Sequence, residues 1–292
     1  MSETAAPTEG NGRGARTGRQ ARRAQRAAAG GIHAAPAYIT RKIPYYEILS
    51  EEGLAAVEDH ADTLLQEIGI EFRGDPEALR LWREAGATVD GERVRMDRGM
   101  AKTIIQRSAP AQFTQHARNP ERSVEIGGPH TVFSPAYGSP FVRDLEKGRR
   151  YGSIEDFRNF VKLAYMSPWI HHSGGTICEP VDLPVNKRHL EMVYAHLRWS
   201  DKGLMGSVTA PERAGDSIEM CRIVFGREFV DANCVIMGNI NVNSPLVYDV
   251  TMTGALRTYA AANQCAVVVP FILGGAMGPV TTAGAVAQAH AE

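Results

Sequence analysis

The sequence has no long apolar run, no closely spaced cysteines and no cluster of metal-ligating side chains. Its 292 residues contain no stretch of about eighteen apolar residues, which a membrane-spanning helix requires, so we expect no membrane partner. The cysteines show no Cys-x-x-Cys spacing and no grouping with histidine: Cys178, Cys221, Cys234 and Cys265. This usage is typical of reduced, buried thiols in a cytoplasmic protein without a metal site.

Several catalytic motifs are also absent. The chain has no Gly-x-x-x-x-Gly-Lys-Ser/Thr, no Gly-x-Gly-x-x-Gly after a strand, no Gly-x-Ser-x-Gly and no His-Glu-x-x-His. These absences exclude P-loop and dinucleotide-binding proteins, serine hydrolases of the elbow type and zincins. No lysine follows a predicted strand, because Lys202 precedes one, so a Schiff-base aldolase has no visible nucleophile.

The charge is nearly balanced, with 32 basic against 33 acidic residues, and gives the whole molecule no reason to bind nucleic acid. Residues 1–30 are the exception. They carry two glutamates and little to bury, together with six arginines: Arg13, Arg16, Arg19, Arg22, Arg23 and Arg26. This composition predicts a disordered Arg-rich tail, for which contact with RNA is one possible role.

Residues 31–125 carry the signals of a small α+β domain. Ser50 and Asp75 each precede an amphipathic stretch, as helix N-caps do, and Asp90-Gly91 separates two short apolar strands. A third helix is predicted at 98–107 and a second hairpin at 112–116 and 123–126. No chemistry is visible in this region.

Residues 126–292 repeat one pattern five times, in which a short apolar run ends in a small polar residue and an amphipathic helix follows. The runs are 131–136, 169–173, 204–208, 234–240 and 266–273. Such alternation predicts parallel strands with crossover helices, and therefore a (β/α)8 TIM barrel. Since eight units close a barrel, we expect a partial TIM barrel that lacks about three C-terminal units.

In a TIM barrel the chemistry lies in the loops that follow the strands. Tyr137 in the first of these loops is the aromatic residue best placed to face a ligand, although packing under the amino-terminal domain explains it equally well. His171 and His172 end the second run and point to opposite faces, so only one of them can enter a site. A single histidine of this kind is more often structural than catalytic.

The fourth and fifth runs end in further polar and flexible residues. Asn239, Asn241 and Asn243 alternate and would share one face of an extended strand, which suits binding of a carboxylate or amide. Turn chemistry near Pro245 explains Asn243 but not Asn239. The glycines of 274–278 allow close approach of something flat and large, and ordinary loop geometry explains them equally well.

Three motifs resemble those of the trimethylamine methyltransferase family of corrinoid-dependent enzymes. They are Tyr-Gly-Ser-Pro with Val-Arg-Asp in 137–144, Asn-Val-Asn-Ser-Pro-Leu in 241–246 and Gly-Gly-Ala-Met-Gly-Pro-Val-Thr in 274–281. The resemblance runs from about Ile39 to the end of the chain. It implies a TIM-barrel enzyme that moves a methyl group from a small methylated amine to the cobalt of a corrinoid carried by a partner protein, and a homo-oligomer when full length.

The resemblance also implies roles for particular residues. A cationic amine calls for aromatic faces, and Tyr137 and Phe141 are the candidates. A carboxylate on the substrate would be bound by Asn239 and Asn241 together with His172. The corrinoid would approach the loop that contains Gly274, Gly275 and Met277. Catalytic residues, and the pyrrolysine of the founding members, are expected beyond Glu292.

The substrate therefore stays open between trimethylamine and quaternary amines such as glycine betaine. We favour the quaternary amines, because the branch without pyrrolysine is the more widespread one. Two other interpretations remain: an unrelated TIM-barrel lyase, and a non-catalytic truncated fragment whose Arg-rich tail interacts with RNA. An open five-unit sheet would expose a strand edge, so such a fragment could be inactive alone.

Overall fold

Capping residues and tight turns determine the secondary structure of the amino-terminal part. The computed structural model describes residues 36–292, so the expectations for the Arg-rich tail lie outside the described residues. Ser50 Oγ accepts the Gly53 N–H, and Asp75 Oδ1 accepts the Ala78 N–H. The elements are β1 (Ile39–Thr40), α1 (Glu51–Thr63) with a π-helical extension (Leu64–Ile68), β2 (Ile70–Arg73), α2 (Pro76–Glu84), β3 (Thr88–Asp90), β4 (Arg93–Arg95), α3 (Met100–Ser108), β5 (Gln112–Gln115), a 3-10 turn (Pro120–Arg122), β6 (Val124–Gly127) and β7 (His130–Thr131).

The rest of the chain alternates strands with longer helices. Its elements are β8 (Phe141–Asp144), β9 (Gly148–Tyr151), α4 (Ile154–Met166), α5 (Val185–Trp199), β10 (Leu204–Met205), α6 (Pro211–Phe225), α7 (Arg227–Ala232), β11 (Ile236–Val242), β12 (Val247–Asp249), α8 (Val250–Ala261), β13 (Cys265–Pro270) and α9 (Thr282–Ala291). The sequence pattern did not predict the β8–β9 hairpin. Asp144 Oδ1 forms its turn by accepting the N–H groups of Glu146 and Lys147. No helix between residues 36 and 292 is long and apolar enough to cross a membrane.

A four-stranded sheet joins the amino-terminal part to the rest of the chain. Its strand order is β12-β2-β4-β3, with β12 parallel to β2 and the remaining pairs antiparallel. Asp75, which is buried, adds a polar link because it accepts hydrogen bonds from Thr253 and Arg257 of α8. The boundary expected near residue 125 stays a prediction, and this sheet crosses it.

A three-stranded parallel sheet, in the order β10-β11-β13, lies at the centre of the second part. Three of the five apolar runs supply it, whereas 131–136 contributes only the end of β7 and 169–173 forms no regular strand. Backbone bonds still connect these segments: His171 N to Phe133 O at 2.9 Å and Ser173 N to Gly203 O at 2.8 Å. The sheets are small and not closed, so the TIM barrel stays a prediction.

Tyr259 of α8 is the largest side chain in the core beneath this sheet and is completely buried. An added Cβ at Gly238 would lie 2.5 Å from Tyr259 Cδ2, and one at Gly206 would overlap its hydroxyl. Both glycines are therefore required by the aromatic ring. The Tyr259 hydroxyl donates to Ser207 O at 2.9 Å, which satisfies its only polar group.

Lys202 is a buried cation that satisfies the carboxyl end of α4. Its Nζ donates to Ala164 O at 2.9 Å, to Ser167 O at 3.1 Å and to Ile170 O at 2.5 Å. These carbonyls belong to the last turn of the helix and the segment after it, where the backbone has no helical partners. Lys202 therefore fixes the path of the chain that leads to His171 and His172.

Replacing Lys202 with methionine should destabilise the protein, because three buried or half-buried carbonyl groups lose their donor. We expect a loss of at least roughly 2 kcal/mol in the free energy of unfolding, measured by urea denaturation. Lys187→Met, on the exposed surface of α5, is the control and should change stability by about 0.5 kcal/mol or less. Equal stability of the two variants would contradict the assigned role.

Candidate functional site

The side of the parallel sheet that faces away from Tyr259 carries the polar side chains. Met205 pairs with Met237 in register, and Gly206 N donates to Met237 O at 2.9 Å. Because Gly206 and Gly238 both face Tyr259, the next residues, Ser207 and Asn239, point to the other face and fall on neighbouring strands. Ser207, just beyond β10, and Asn239 of β11 therefore lie on the same side of the sheet.

The asparagine row predicted on β11 is present in part. Asn239, which is 9% exposed, donates from Nδ2 to Asn241 Oδ1 at 3.1 Å. Asn243 instead donates to Asp249 Oδ2 at 2.6 Å and closes the turn into β12. Among the described contacts, Asn239 Oδ1 and Asn241 Nδ2 remain for a ligand, which is one acceptor and one donor.

A cavity of about 290 Å³ opens between α5, the start of α6 and the loops after the first three apolar runs; Ser207 lines it, whereas Asn239 and Asn241 do not. This volume is at the small end for ligand sites, so the cavity suits a small molecule. Its polar lining combines both signs of charge with hydroxyl groups: Tyr137, Glu179, His189, Ser207, Thr209 and Arg213.

Two hydrogen-bonded groups define the electrostatics of the cavity. Arg213 Nη1 donates to Thr209 Oγ1 at 2.9 Å, and Thr209 Oγ1 lies 3.1 Å from Ser207 Oγ. Glu179 accepts from Arg188 Nη1 at 2.5 Å. The cavity therefore presents both a carboxylate and guanidinium groups to a ligand.

The two aromatic candidates have different surroundings. Tyr137 lines the cavity, with its ring so close to Gly175 that an added Cβ would lie 2.6 Å from Cε2. Burial raises the pKa of Tyr137, so the phenol is neutral near pH 7. Phe141 lies in the β8–β9 hairpin, stacked on Tyr151 at 4.7 Å, with the guanidinium of Arg149 3.6 Å from the ring centroid. Phe141 thus already holds a cation of this chain.

His172 is bound within the protein rather than exposed at the cavity. Its Nδ1 accepts the Gly174 N–H at 2.9 Å and its Nε2 donates to Gln115 Oε1 at 3.0 Å. Gln115 Nε2 in turn donates to Leu204 O and Val235 O, at the beginning of β10 and β11. Both ring nitrogens therefore have partners within the protein, far from the carboxyl ends of the strands. His172 is not part of the proposed site.

The glycine loop after β13 forms an exposed turn of its own. Gly274 bridges to Gly278, and Gly275, with φ of 81°, donates from N to Gly278 O at 3.0 Å. Met277 N donates to Leu273 O at 2.9 Å. The positive φ explains one glycine through loop geometry, and the role in approaching a corrinoid stays a prediction.

Sequence reasoning missed Arg188, His189, Arg213 and Gln115. Arg213 follows Pro211, which opens α6 directly after the third apolar run, and this strand-to-helix position was the available signal. Gln115 gave none, because its partners are 89 and 120 residues away in sequence. Within residues 36–292, no group of three or more histidine, cysteine, aspartate or glutamate side chains could hold a metal ion.

A parallel sheet packed on helices, with a small cavity beside the loops that follow its strands, is the arrangement of an α/β enzyme. The chain belongs to the trimethylamine methyltransferase (MTTB) family, whose model matches residues 15–292. The resemblance in the three loop motifs is thereby confirmed.

Two relatives refine this assignment. The chain is similar to a glycine betaine methyltransferase of Desulfitobacterium hafniense (strain Y51), with 42% identity over 251 residues, 86% of this chain and 52% of the relative. It is also similar to a proline betaine:corrinoid methyltransferase of Eubacterium limosum, with 24% identity over 268 residues, 87% of this chain and 53% of the relative. The chain spans about half the length of these relatives.

Two buried histidines, His172 and His196, predict that the protein is sensitive to acid. Burial lowers the pKa of His172 to about 3 and that of His196 to about 4. The ring of His196 forms hydrogen bonds with Ser173 Oγ and Gly175 O. Between about pH 4 and the ordinary value near 6.5, the unfolded chain binds more protons than the folded one. Their contribution to stability is therefore full above pH 6.5 and is lost as the pH falls.

We expect urea denaturation between pH 6.5 and 5 to show stability falling by up to about 1.4 kcal/mol per pH unit for each of these histidines. His196→Gln should be less stable at pH 7 but should show a shallower slope in this window. An unchanged slope would mean that His196 is not held neutral by burial.

Proposed function

We propose that this protein transfers a methyl group from a quaternary amine of the betaine type to the cobalt of a corrinoid carried by a partner protein. The observation that carries the proposal is the 42% identity to a glycine betaine methyltransferase across 86% of the chain. The cavity with both signs of charge supports the same substrate class, since a betaine is itself a zwitterion.

We also propose that residues 126–292 form part of a TIM barrel. Support comes from the order in which backbone bonds join Phe133, the segment 171–174, the segment 203–205, β11 and β13. Each segment bonds to the next in sequence, as neighbouring barrel strands do. The polar row and the cavity would then lie at the catalytic mouth.

The side chains at the site suit a reaction that needs no proton transfer to the leaving group. A quaternary ammonium departs as a neutral amine, so a general acid is unnecessary, and the site offers amides, hydroxyls and a neutral phenol. What it must do is hold a cation. The Tyr137 ring can contribute roughly 0.5 to 2 kcal/mol if an ammonium lies on its face, whereas the Glu179 carboxylate already pairs with Arg188.

A bound corrinoid supplies a strongly nucleophilic metal centre, so the hard chemistry belongs to the cofactor and the protein positions the amine. The loop after β13 fits the approach of a flat ring system. An added Cβ at Gly274 would meet nothing closer than Pro279 O at 3.6 Å, so this stretch of backbone is open to the outside. Gly274, Gly275 and Met277 are the residues we propose for that contact.

The proposed activity can be tested with the purified protein, a reduced corrinoid and glycine betaine. We expect formation of N,N-dimethylglycine, followed by NMR, and no product when the amine or the corrinoid is left out. Trimethylamine is the parallel substrate, and dimethylamine formation from it alone would favour the other branch of the family. No demethylation of any quaternary or tertiary amine would overturn the proposal.

The asparagine pair should contribute to substrate binding. Asn239→Ala and Asn241→Ala should each raise the Kd for glycine betaine roughly 2- to 10-fold, because each removes one hydrogen bond to the ligand or its partner amide. Isothermal titration calorimetry provides the measurement, and Asn159→Ala on the exposed surface of α4 is the control. Unchanged affinity in both variants would remove the pair from the site.

A further inference from the structure

We infer that Arg213, with the hydroxyl groups of Ser207 and Thr209 and the first turn of α6, recognises the carboxylate of the substrate. The cavity would then select zwitterionic quaternary amines over cations that carry no acid group. This inference deepens the proposed function and rests on it.

No carboxylate among residues 36–292 forms an ion pair with Arg213. Arg213 Nη1 donates to the Thr209 hydroxyl at 2.9 Å. The other arginine of the cavity, Arg188, pairs with Glu179 at 2.5 Å. A guanidinium fixed by one hydroxyl, with its remaining N–H groups available, is suited to a planar carboxylate.

The start of α6 adds a partial positive charge at the same place. Its N-cap residue, Ala210, provides no side-chain acceptor, so first-turn N–H groups have no capping partner. The helix is 15 residues long and Arg213 lies in its first turn. The helix dipole therefore favours an anion where Arg213 and Thr209 already converge.

A buried histidine in the cavity wall has one nitrogen without a partner in residues 36–292. His189 of α5 is 4% exposed and lines the cavity wall. Its Nε2 lies 2.8 Å from Asp216 Oδ2, which fixes the ring, while Nδ1 is buried and has no partner among the described residues. An unpaired buried nitrogen is costly, and this one belongs to a side chain of the cavity wall.

The polarity of the lining orients a betaine. Tyr137 comes from the loop after the first apolar run and suits the ammonium. Arg213, Thr209 and Ser207 come from the third and suit the acid group. Asn239 and Asn241 lie outside the cavity lining, so Arg213, Thr209 and Ser207 carry this recognition.

The test compares two ligands with the same ammonium, glycine betaine and its methyl ester, whose acid is neutral. Calorimetry on Arg213→Met should show roughly 10- to 100-fold weaker binding of glycine betaine, the loss expected for one charge-assisted interaction. Binding of the ester should change less than about 2-fold, because that ligand has no carboxylate for Arg213 to bind. The wild-type protein should bind the ester about as weakly as the variant binds glycine betaine.

Three further variants separate recognition from damage. Arg213→Lys keeps the positive charge and should recover part of the affinity for glycine betaine, whereas Arg227→Met, at an exposed arginine paired with Glu219, should bind both ligands normally. Thr209→Val should weaken glycine betaine binding but not ester binding, and it carries the test if Arg213→Met does not fold by circular dichroism.

The outcomes distinguish the inference from the function on which it rests. If the wild-type protein binds glycine betaine and Arg213→Met binds it equally well, or loses both ligands equally, the inference fails and the proposed function stands. If the wild-type protein binds neither ligand, both fail. Selective loss of glycine betaine supports the inference.

Discussion

The packing of Tyr259 against two glycines is the constraint on which the site depends. With the ring filling the helix side of Gly206 and Gly238, the strands β10 and β11 can approach α8 only in one orientation. Alternation along a strand then sends Ser207 and Asn239 to the opposite face. A shift of either strand by one residue would place these polar side chains against the apolar core. The packing of Tyr259 and the position of the polar side chains therefore require the same strand register.

The sequence predicts local elements well and the site only in part. Helices capped by Ser50 and Asp75 form because cap and helix are neighbours in the chain. The asparagine row follows from strand alternation for the same reason. His172 could not be assigned this way, since its environment depends on Gln115, which is 57 residues away. Arg213 escaped notice because only folding places α6 beside α5.

Tyr137 and Phe141 show that the type of a residue does not by itself identify a binding site. Tyr137 and Phe141 are four positions apart and equally able to attract a cation, but Arg149 already lies on the Phe141 ring. Tyr137 lies beside Glu179 in the cavity instead. Whether an aromatic ring can bind a cationic ligand therefore depends on whether a charged side chain of the protein already occupies its face.

The strand β12 has a consequence for building hybrid proteins from this family. It continues from the turn that Asn243 closes, yet pairs with β2 some 175 residues earlier in sequence, through partners such as Tyr248 and Phe72, whose rings stack at 5.4 Å. A chimera joined near residue 125 would draw the two strands from different parents. Unless both are exchanged together, the seam would run through a sheet and disturb the turn behind the asparagine pair.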